Sequence, residues 1–480
     1  MTRAKKDVHF LVAMIPIVIL VVLLYLNVSL FSDDATYGSN QIALLLAALA
    51  ASVIGLFRGF TWHNLQDGVV KSISSALPAI LILLLIGALA GTWMMSGVVP
   101  TMIYYGLKVL NPTIFLVAAC IVSAIVAVAT GSSWSTIATV GVALLGIGNA
   151  LGLHPGMIAG SIISGAYFGD KMSPLSDTTN LAPAMAGTDL FTHIRYMAYT
   201  TVPSIIITLV IFLILGFSVD TGTASVGVDE MLKALESRYY ISPVLMIVPL
   251  AVIFMIIKKV DAVPALFIGS LLGVVAAIVF QPEVVKEISG VSTDYVKASY
   301  VAAMQAMALD TAVITDVAEV NDLLGTGGMF GMMNTIWLIV CAMTFGGIME
   351  ACGLLQKITR TVVQFARSTG SLIATTAGTC VFFNATASDQ YLAIVVPGRM
   401  FADTYEDRGL APENLSRTLE DSGTVTSVLF PWNTCGAAQS SVLHVATGEY
   451  WFYCFFNIIS PLMTMAFGFF NVKIRKLKES

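Results

Sequence analysis

Residues Phe10 to Phe31 run without one charged side chain. A helix rising about 1.5 Å per residue needs about that length to cross a hydrocarbon layer roughly 30 Å thick. The run is too long for the apolar part of a signal peptide and no small-residue cleavage site follows it, so it is expected to stay as a first helix. In lipid every backbone amide and carbonyl must find a partner inside the chain, which leaves helices or a closed barrel as the spanning structures. Similar apolar runs recur near 41–57, 77–95, 198–218, 241–257, 262–280, 334–349 and 451–472, and they are far too long for barrel strands.

Hydrophobic residues make up 57% of the chain and charged ones only 11%, against roughly 25% charged in an ordinary soluble domain. The mean hydropathy is +0.86. An all-α polytopic membrane protein follows. The net charge of −5 says little, because in such a chain the placement of charge outweighs its sum. The six cysteines sit in or beside apolar segments without a C-x-x-C pair, and the five histidines are scattered singly. The cysteines read as small buried hydrophobes, and no metal site, cofactor or nucleic-acid partner is expected beyond a transported Na⁺.

Two further helical regions, 156–183 and 412–440, are interrupted by Gly, Pro and polar residues, which brings the count to ten spans. Segments 113–148 and 371–401 each break at a polar cluster, "TGSSWST" and "NATASDQ", and are expected to be re-entrant hairpins, a form tolerated only when buried in protein or lining a wet cavity. With the N-terminus "MTRAKK" in the cytoplasm, ten spans return "KIRKLKE" to the same side, and most of the 24 basic residues then lie inside. Lys108, Lys233, Arg238, Lys286 and Lys297 fall outside and Lys171 falls within the membrane. This distribution obeys the positive-inside rule.

Shifted by about 256 residues, "GTWMMSG" (91–97) falls on "GIMEACG" (347–353), Ser133 near Ser388, "GLHP" (152–155) on "GLAP" (409–412), and Pro174 on Pro431. The expected organisation is an N-terminal repeat, 1–220, a linker, 221–240, and a C-terminal repeat, 241–480, with an outer insertion at 281–333 of no assigned role. Each repeat holds five spans, one hairpin and one broken helix. Five is odd, so the two repeats enter the membrane in opposite senses, as in many secondary transporters.

Polar interruptions at membrane depth are costly, and a broken helix exposes carbonyls at one stump and amides at the other. In the first half the candidates for an ion or substrate site are Ser133, Ser135 and Thr136 at the hairpin, with Asp170, Ser173, Ser176, Asp177, Thr178 and Asn180 in the broken helix. In the second they are Asn384, Thr386, Ser388 and Asp389, with Asp421, Thr424, Thr426, Asn433 and Thr434. Hydroxyls and carboxylates around stump carbonyls suit Na⁺, while helix N-termini suit an anion. The competing reading gives each hydroxyl a capping role at a helix end. The acidic groups nearest the expected core, Asp170, Asp177, Glu350, Asp389, Glu420 and Asp421, are candidate proton or sodium ligands, the alternatives being a structural hydrogen bond for Glu350 and the cytoplasmic surface for Glu420; Lys171 is a candidate counter-charge or stand-in cation.

At these residues the sequence resembles the NhaC-type sodium/proton antiporter family, which includes malate/lactate exchangers coupled to sodium and protons. The resemblance rests on "LLIGALAGTWMMSGVVP", "TGSSWSTIATVGVALLGIG", "GAYFGDKMSPLSDTTNLAP" and "SRTLEDSGTVTSVLFPWNTCGA". It implies an electrochemical exchanger with Asp170, Ser173, Ser176, Asp177 and Thr178 at or near its cation site, and a dimer that works as an elevator. The expected function is Na⁺/H⁺ exchange across a bacterial cytoplasmic membrane, with both termini cytoplasmic. The alternative keeps the fold and adds a small organic anion or amino acid as the solute. An enzyme is disfavoured: His154 and His193 are expected at opposite faces, and no H-E-x-x-H, P-loop or nucleophile elbow is present.

Overall fold

The computed structural model describes residues 8–31, 37–218, 228–317, 321, 324–363 and 367–477. Apart from the paired two-residue strands Thr311–Ala312 and Gly325–Thr326, the regular structure among them is helical. Eight helices are long and apolar enough to cross a membrane, and two bent helix pairs raise the number to ten.

The total agrees with the ten expected spans, but its membership differs. Both arms of the first hairpin, Pro112–Thr130 and Ser133–Ala150, are long and apolar enough to count, while the pieces of the two broken helices are not. The expected 77–95 span starts earlier, in a helix over Trp62–Met95, because Thr61 caps it by accepting from the Asn64 amide at 3.3 Å. The segment 241–257 lies in a pair bent by 84° and the 451–472 segment in a pair bent by 53°.

One order of elements occurs twice. Trp62–Met95, Val98–Val109, the hairpin, the broken helix Pro155–Met172 and Asp177–Ala186, and Leu190–Ser218 make the first series. The second is Met333–Ala351, Leu354–Val363, a hairpin of Thr369–Thr386 and Leu392–Asp407, a broken helix of Pro412–Leu419 and Thr434–Leu443, and Phe455–Phe469. Left-handed backbone falls at matching corners: Gly97 and Gly353, Gly131 and Ser388, Gly152 and Gly409, Gly187 and His444, each pair 256 or 257 positions apart. A side chain resists this conformation, so Ser388 and His444 show that the corner is imposed by the fold even where glycine has been replaced.

The insertion 281–333 is a folded part of the molecule, less its undescribed residues 318–320 and 322–323. Its helix Tyr295–Ala308 lies so close to the long Trp62–Met95 helix that a Cβ on Gly91 would stand 1.7 Å from the Ala306 carbonyl oxygen. The tightest packing near the breaks is between Pro112–Thr130 and Pro155–Met172. There the G-x-x-x-G pair Gly165 and Gly169 meets backbone, with absent Cβ positions 2.0 Å from Cys120 O and 2.3 Å from Ala124 O. Small residues let helix backbones approach where lipid supplies no hydrophobic drive. Gly165→Leu is therefore expected to destabilise the detergent-solubilised protein by at least about 1–3 kcal/mol, read as a lowered unfolding midpoint.

Candidate functional site

The first broken helix ends at Ser173, where Pro174 can offer no amide to continue it. Its stump is not left open. The Thr179 hydroxyl donates to the carbonyls of Asp170 (3.2 Å) and Lys171 (3.0 Å), and Ser173 donates to Val128 O at 2.8 Å. Ser176 restarts the helix by accepting from the Thr179 amide at 3.4 Å, and Asn180 donates to the carbonyls of Pro174 (3.0 Å) and Ser176 (2.7 Å). In the second break, Pro412–Leu419 widens into a π turn, Glu420–Thr424, and Asn433 restarts the helix by accepting from the Cys435 amide at 3.0 Å. Ser173, Ser176, Thr179 and Asn433 thus do the capping work that any break demands.

The hairpins tie themselves to these breaks. Asp170 Oδ2 accepts from the Ser133 amide at 3.0 Å and from its hydroxyl at 2.7 Å. In the second half Asn384 donates to Gly423 O (2.7 Å) and Thr426 Oγ1 (3.0 Å), Asn433 to Asn384 O (2.9 Å), Gln390 to Thr424 O (3.0 Å), and the Thr434 amide to Ser388 O (3.0 Å).

Both junctions face a cavity of about 710 Å³. Its wall includes Ser135 and Asp170, Ser176, Asp177, Thr178 and Asn180, and Asp389 and Thr434, so eight of the sequence candidates meet there. Asp170 and Asp389 are buried, at 7% and 3% exposure, while Asp177 and Asn180 are exposed at the mouth. With Asp261 the wall carries four carboxylates, and Lys259 is its one basic residue. A set of hydroxyl and carboxylate oxygens of this kind suits a hard cation.

The remaining candidates stand behind the wall. Ser133 holds Asp170, Thr136 pairs with Thr130 at 3.3 Å, and Thr386 donates to Phe382 O of its own helix at 2.7 Å. Asn384, Thr426 and Asn433 hold the second junction as described, and the Ser388 and Thr424 hydroxyls are buried without a partner among the described residues. Deeper still, Lys171 forms an ion pair with Asp421, both side chains fully buried. Lys171 Nζ also donates to Ser460 Oγ at 2.9 Å, and Thr200 Oγ1 donates to Asp421 Oδ2 at 2.8 Å.

A family model described as "Na+/H+ antiporter family" matches residues 165–472, from within the first broken helix to the last helix. The chain belongs to that family. The Na⁺/H⁺ antiporter NhaC of Alkalihalophilus pseudofirmus is 37% identical over 91% of this chain and 91% of its own length. The malate-2H⁺/Na⁺-lactate antiporter of Bacillus subtilis is 34% identical over 89% of each. The arginine/ornithine antiporter ArcD of Halobacterium salinarum is 36% identical over 98% of this chain and 94% of its own.

Membership of an antiporter family agrees with the transporter reading of the sequence over the enzyme reading. His193 is fully buried with Nδ1 2.9 Å from Ser416 Oγ, and His154 caps Pro155–Met172 by accepting from the Gly156 amide at 3.1 Å. Of the two readings of Glu420, the structure rejects the surface one. It does not reach the cytoplasmic surface but is fully buried, with Oε1 accepting from Thr178 Oγ1 at 3.0 Å. The signal that separates the two readings is its neighbour: an acidic residue beside Asp421 at the start of a glycine-containing turn belongs to the break, not to the surface end of the helix. Glu350 stands off the cavity wall, 3.9 Å from the exposed Lys71.

Proposed function

We propose that the chain exchanges Na⁺ for H⁺ by alternating access, with the cavity around Asp170 as the ion site. The observation that carries the reading is the meeting of both hairpin tips and both helix breaks on one wall that holds four carboxylates against one lysine. Asp170 is the central ligand, with Ser135, Ser176, Thr178, Asp389 and Thr434 around it. Asp177 and Asn180 stand at the mouth, where a carboxylate attracts cations from solution.

The two series of elements, with their left-handed corners 256 or 257 residues apart, support inverted repeats over 1–220 and 241–480, of which 1–7, 219–227 and 478–480 lie outside the described residues. In this proposal the hairpins re-enter the membrane, and each hairpin with its broken helix carries the site past the Trp62–Met95 and Met333–Ala351 helices in an elevator-like movement. The chain sits in a bacterial cytoplasmic membrane with both termini cytoplasmic and works as a homodimer.

A second reading adds an organic solute, and one observation favours it: a cavity of about 710 Å³ lies in the range that holds small molecules rather than one bare ion. Two relatives bear names for such solutes, malate and lactate in one and arginine and ornithine in the other, which supports this reading. Lys171, however, is committed to Asp421 and is not free to pair with an anion, so the carboxylate-lined wall fits a cationic solute better than a dicarboxylate. Liposome-reconstituted protein under a Na⁺ gradient, tested alone and then with carboxylates and basic amino acids, separates the readings. Proton movement with Na⁺ alone is the expected outcome; movement only after an organic solute is added would make that solute the cargo.

A further inference from the structure

We infer that Glu420 carries the exchanged proton, at a site apart from the Asp170 cavity and joined to it through Thr178. This rests on the exchange reading above. Glu420 has no exposed surface. Its Oε1 accepts from Thr178 Oγ1, while its Oε2 is buried without a hydrogen-bond partner among the described residues. An ionised carboxylate with an orphan oxygen in the interior is costly, and binding a proton removes that cost.

Charge matching points the same way. Two buried cations lie near the turn and both are engaged: the Lys171 ammonium by Asp421 and Ser460, and the Arg417 guanidinium by Lys473 O and the Tyr196 ring. Adjacent residues therefore hold different chemistry. Asp421 is the fixed half of an ion pair, also held by Thr200, and Glu420 makes no ion pair among the described residues. Consecutive residues on a helix point about 100° apart, so the two face different partners; they open the π turn Glu420–Thr424, and such turns gather at functional sites.

The elements packed against this turn bring other buried titratable or charged groups: His193 and Tyr196 from Leu190–Ser218, Cys380 from Thr369–Thr386, Tyr405 from Leu392–Asp407, and Glu413 and Arg417 from Pro412–Leu419; Pro155–Met172, which reaches the turn through the Lys171–Asp421 pair, adds Asp170 and Lys171. Asp177 on Asp177–Ala186 is exposed, and Phe455–Phe469 contributes hydroxyls and amides only. Of the buried acids, Arg475 pairs with Glu413 at 2.6 Å and the Ser133 hydroxyl and amide hold Asp170.

Thr178 lines the cavity, and its hydroxyl is 3.2 Å from that of Ser176, another wall residue. Proton uptake runs by one hop: Thr178 Oγ1 takes a hydrogen from cavity water as its own passes to Glu420 Oε1, leaving hydroxide to be neutralised by the bulk. Release reverses the hop. A Na⁺ on Asp170 and a proton on Glu420 then disfavour each other through their charges, which couples the two fluxes without a shared ligand.

The full-length chain in proteoliposomes tests this with two readouts, ²²Na⁺ self-exchange at equal Na⁺ on both sides and Na⁺-driven proton movement reported by a trapped dye. Glu420→Gln is expected to keep self-exchange near the wild-type rate and to lose proton movement by roughly a hundredfold or more, with Glu420→Asp recovering part of it. Its Na⁺ affinity should no longer weaken as pH falls. Retained proton movement in Glu420→Gln overturns the inference, as does loss of both readouts in a variant that melts like wild type. Wild-type protein that self-exchanges Na⁺ without moving protons defeats the exchange reading itself, a different failure. Should Glu420→Gln not fold, infrared difference spectra of the wild type decide: Na⁺ is expected to remove a protonated-carboxyl band, and no change overturns the assignment.

Discussion

Asp170→Asn is expected to weaken Na⁺ binding by about tenfold to a hundredfold, because a bond from a charged group is worth about 1.5–3 kcal/mol. Asparagine keeps the size of the side chain and can still accept from the Ser133 amide and hydroxyl, so the junction between the first hairpin and the first break should survive. What disappears is the buried negative charge on the cavity wall. Asp177→Asn removes an equal charge from an exposed position, where solvent screens it, and the loss should be several-fold smaller. Na⁺ titration of both variants by isothermal calorimetry checks the ranking. Equal losses would mean that the wall acts only through its net charge and that Asp170 is no special ligand.

Lys171→Met should produce the largest loss of stability of any single polar substitution in the molecule. It leaves Asp421 fully buried with its charge uncompensated, a situation that costs about 3–5 kcal/mol in other proteins. Thr200 and Ser460 would still donate to the aspartate, which places the expected value toward the lower end. Asp421→Asn strands the lysine instead and should cost a similar amount. The double variant Lys171→Met with Asp421→Leu removes both charges and should recover most of the loss, since apolar replacement of a buried pair is often neutral. Unfolding midpoints in detergent for the two singles and the double give the coupling directly. Singles that melt with the wild type would show that the pair is solvated in the native membrane state and does not hold the breaks together.

The parts of this arrangement that follow from simple periodicity were readable in the chain. Uncharged runs such as Phe10 to Phe31 must be helices in lipid, and the Gly, Pro and Ser clusters around Pro174 and Pro431 mark the breaks, because proline removes the amide that would continue a helix. The breaks and the polar tips could be named as a site because polarity at membrane depth is expensive. Which polar residue does which task was not readable. Ser173 and Ser176 differ little in the sequence, yet one reaches back to Val128 and the other lines the cavity. Glu420 and Asp421 are neighbours whose roles part because one faces Thr178 and the other Lys171. Partners 242 and 250 residues away decide that, and no local pattern encodes them. The insertion 281–333 looked like a surface segment because its acidic composition hides two small-residue contacts, Gly91 with Ala306 and Gly87 with Gly328, that seat it on a membrane helix.

The central claim is that a cation held at Asp170 is exchanged for a proton. Purified protein is reconstituted with a pH-sensitive dye inside, an outward Na⁺ gradient is imposed, and wild type is compared with Asp170→Asn at matched protein content. Internal acidification is expected with wild type, as Na⁺ leaves and protons enter, and little or none with the variant. Acidification at the wild-type rate with Asp170→Asn would contradict it and move the ion site elsewhere.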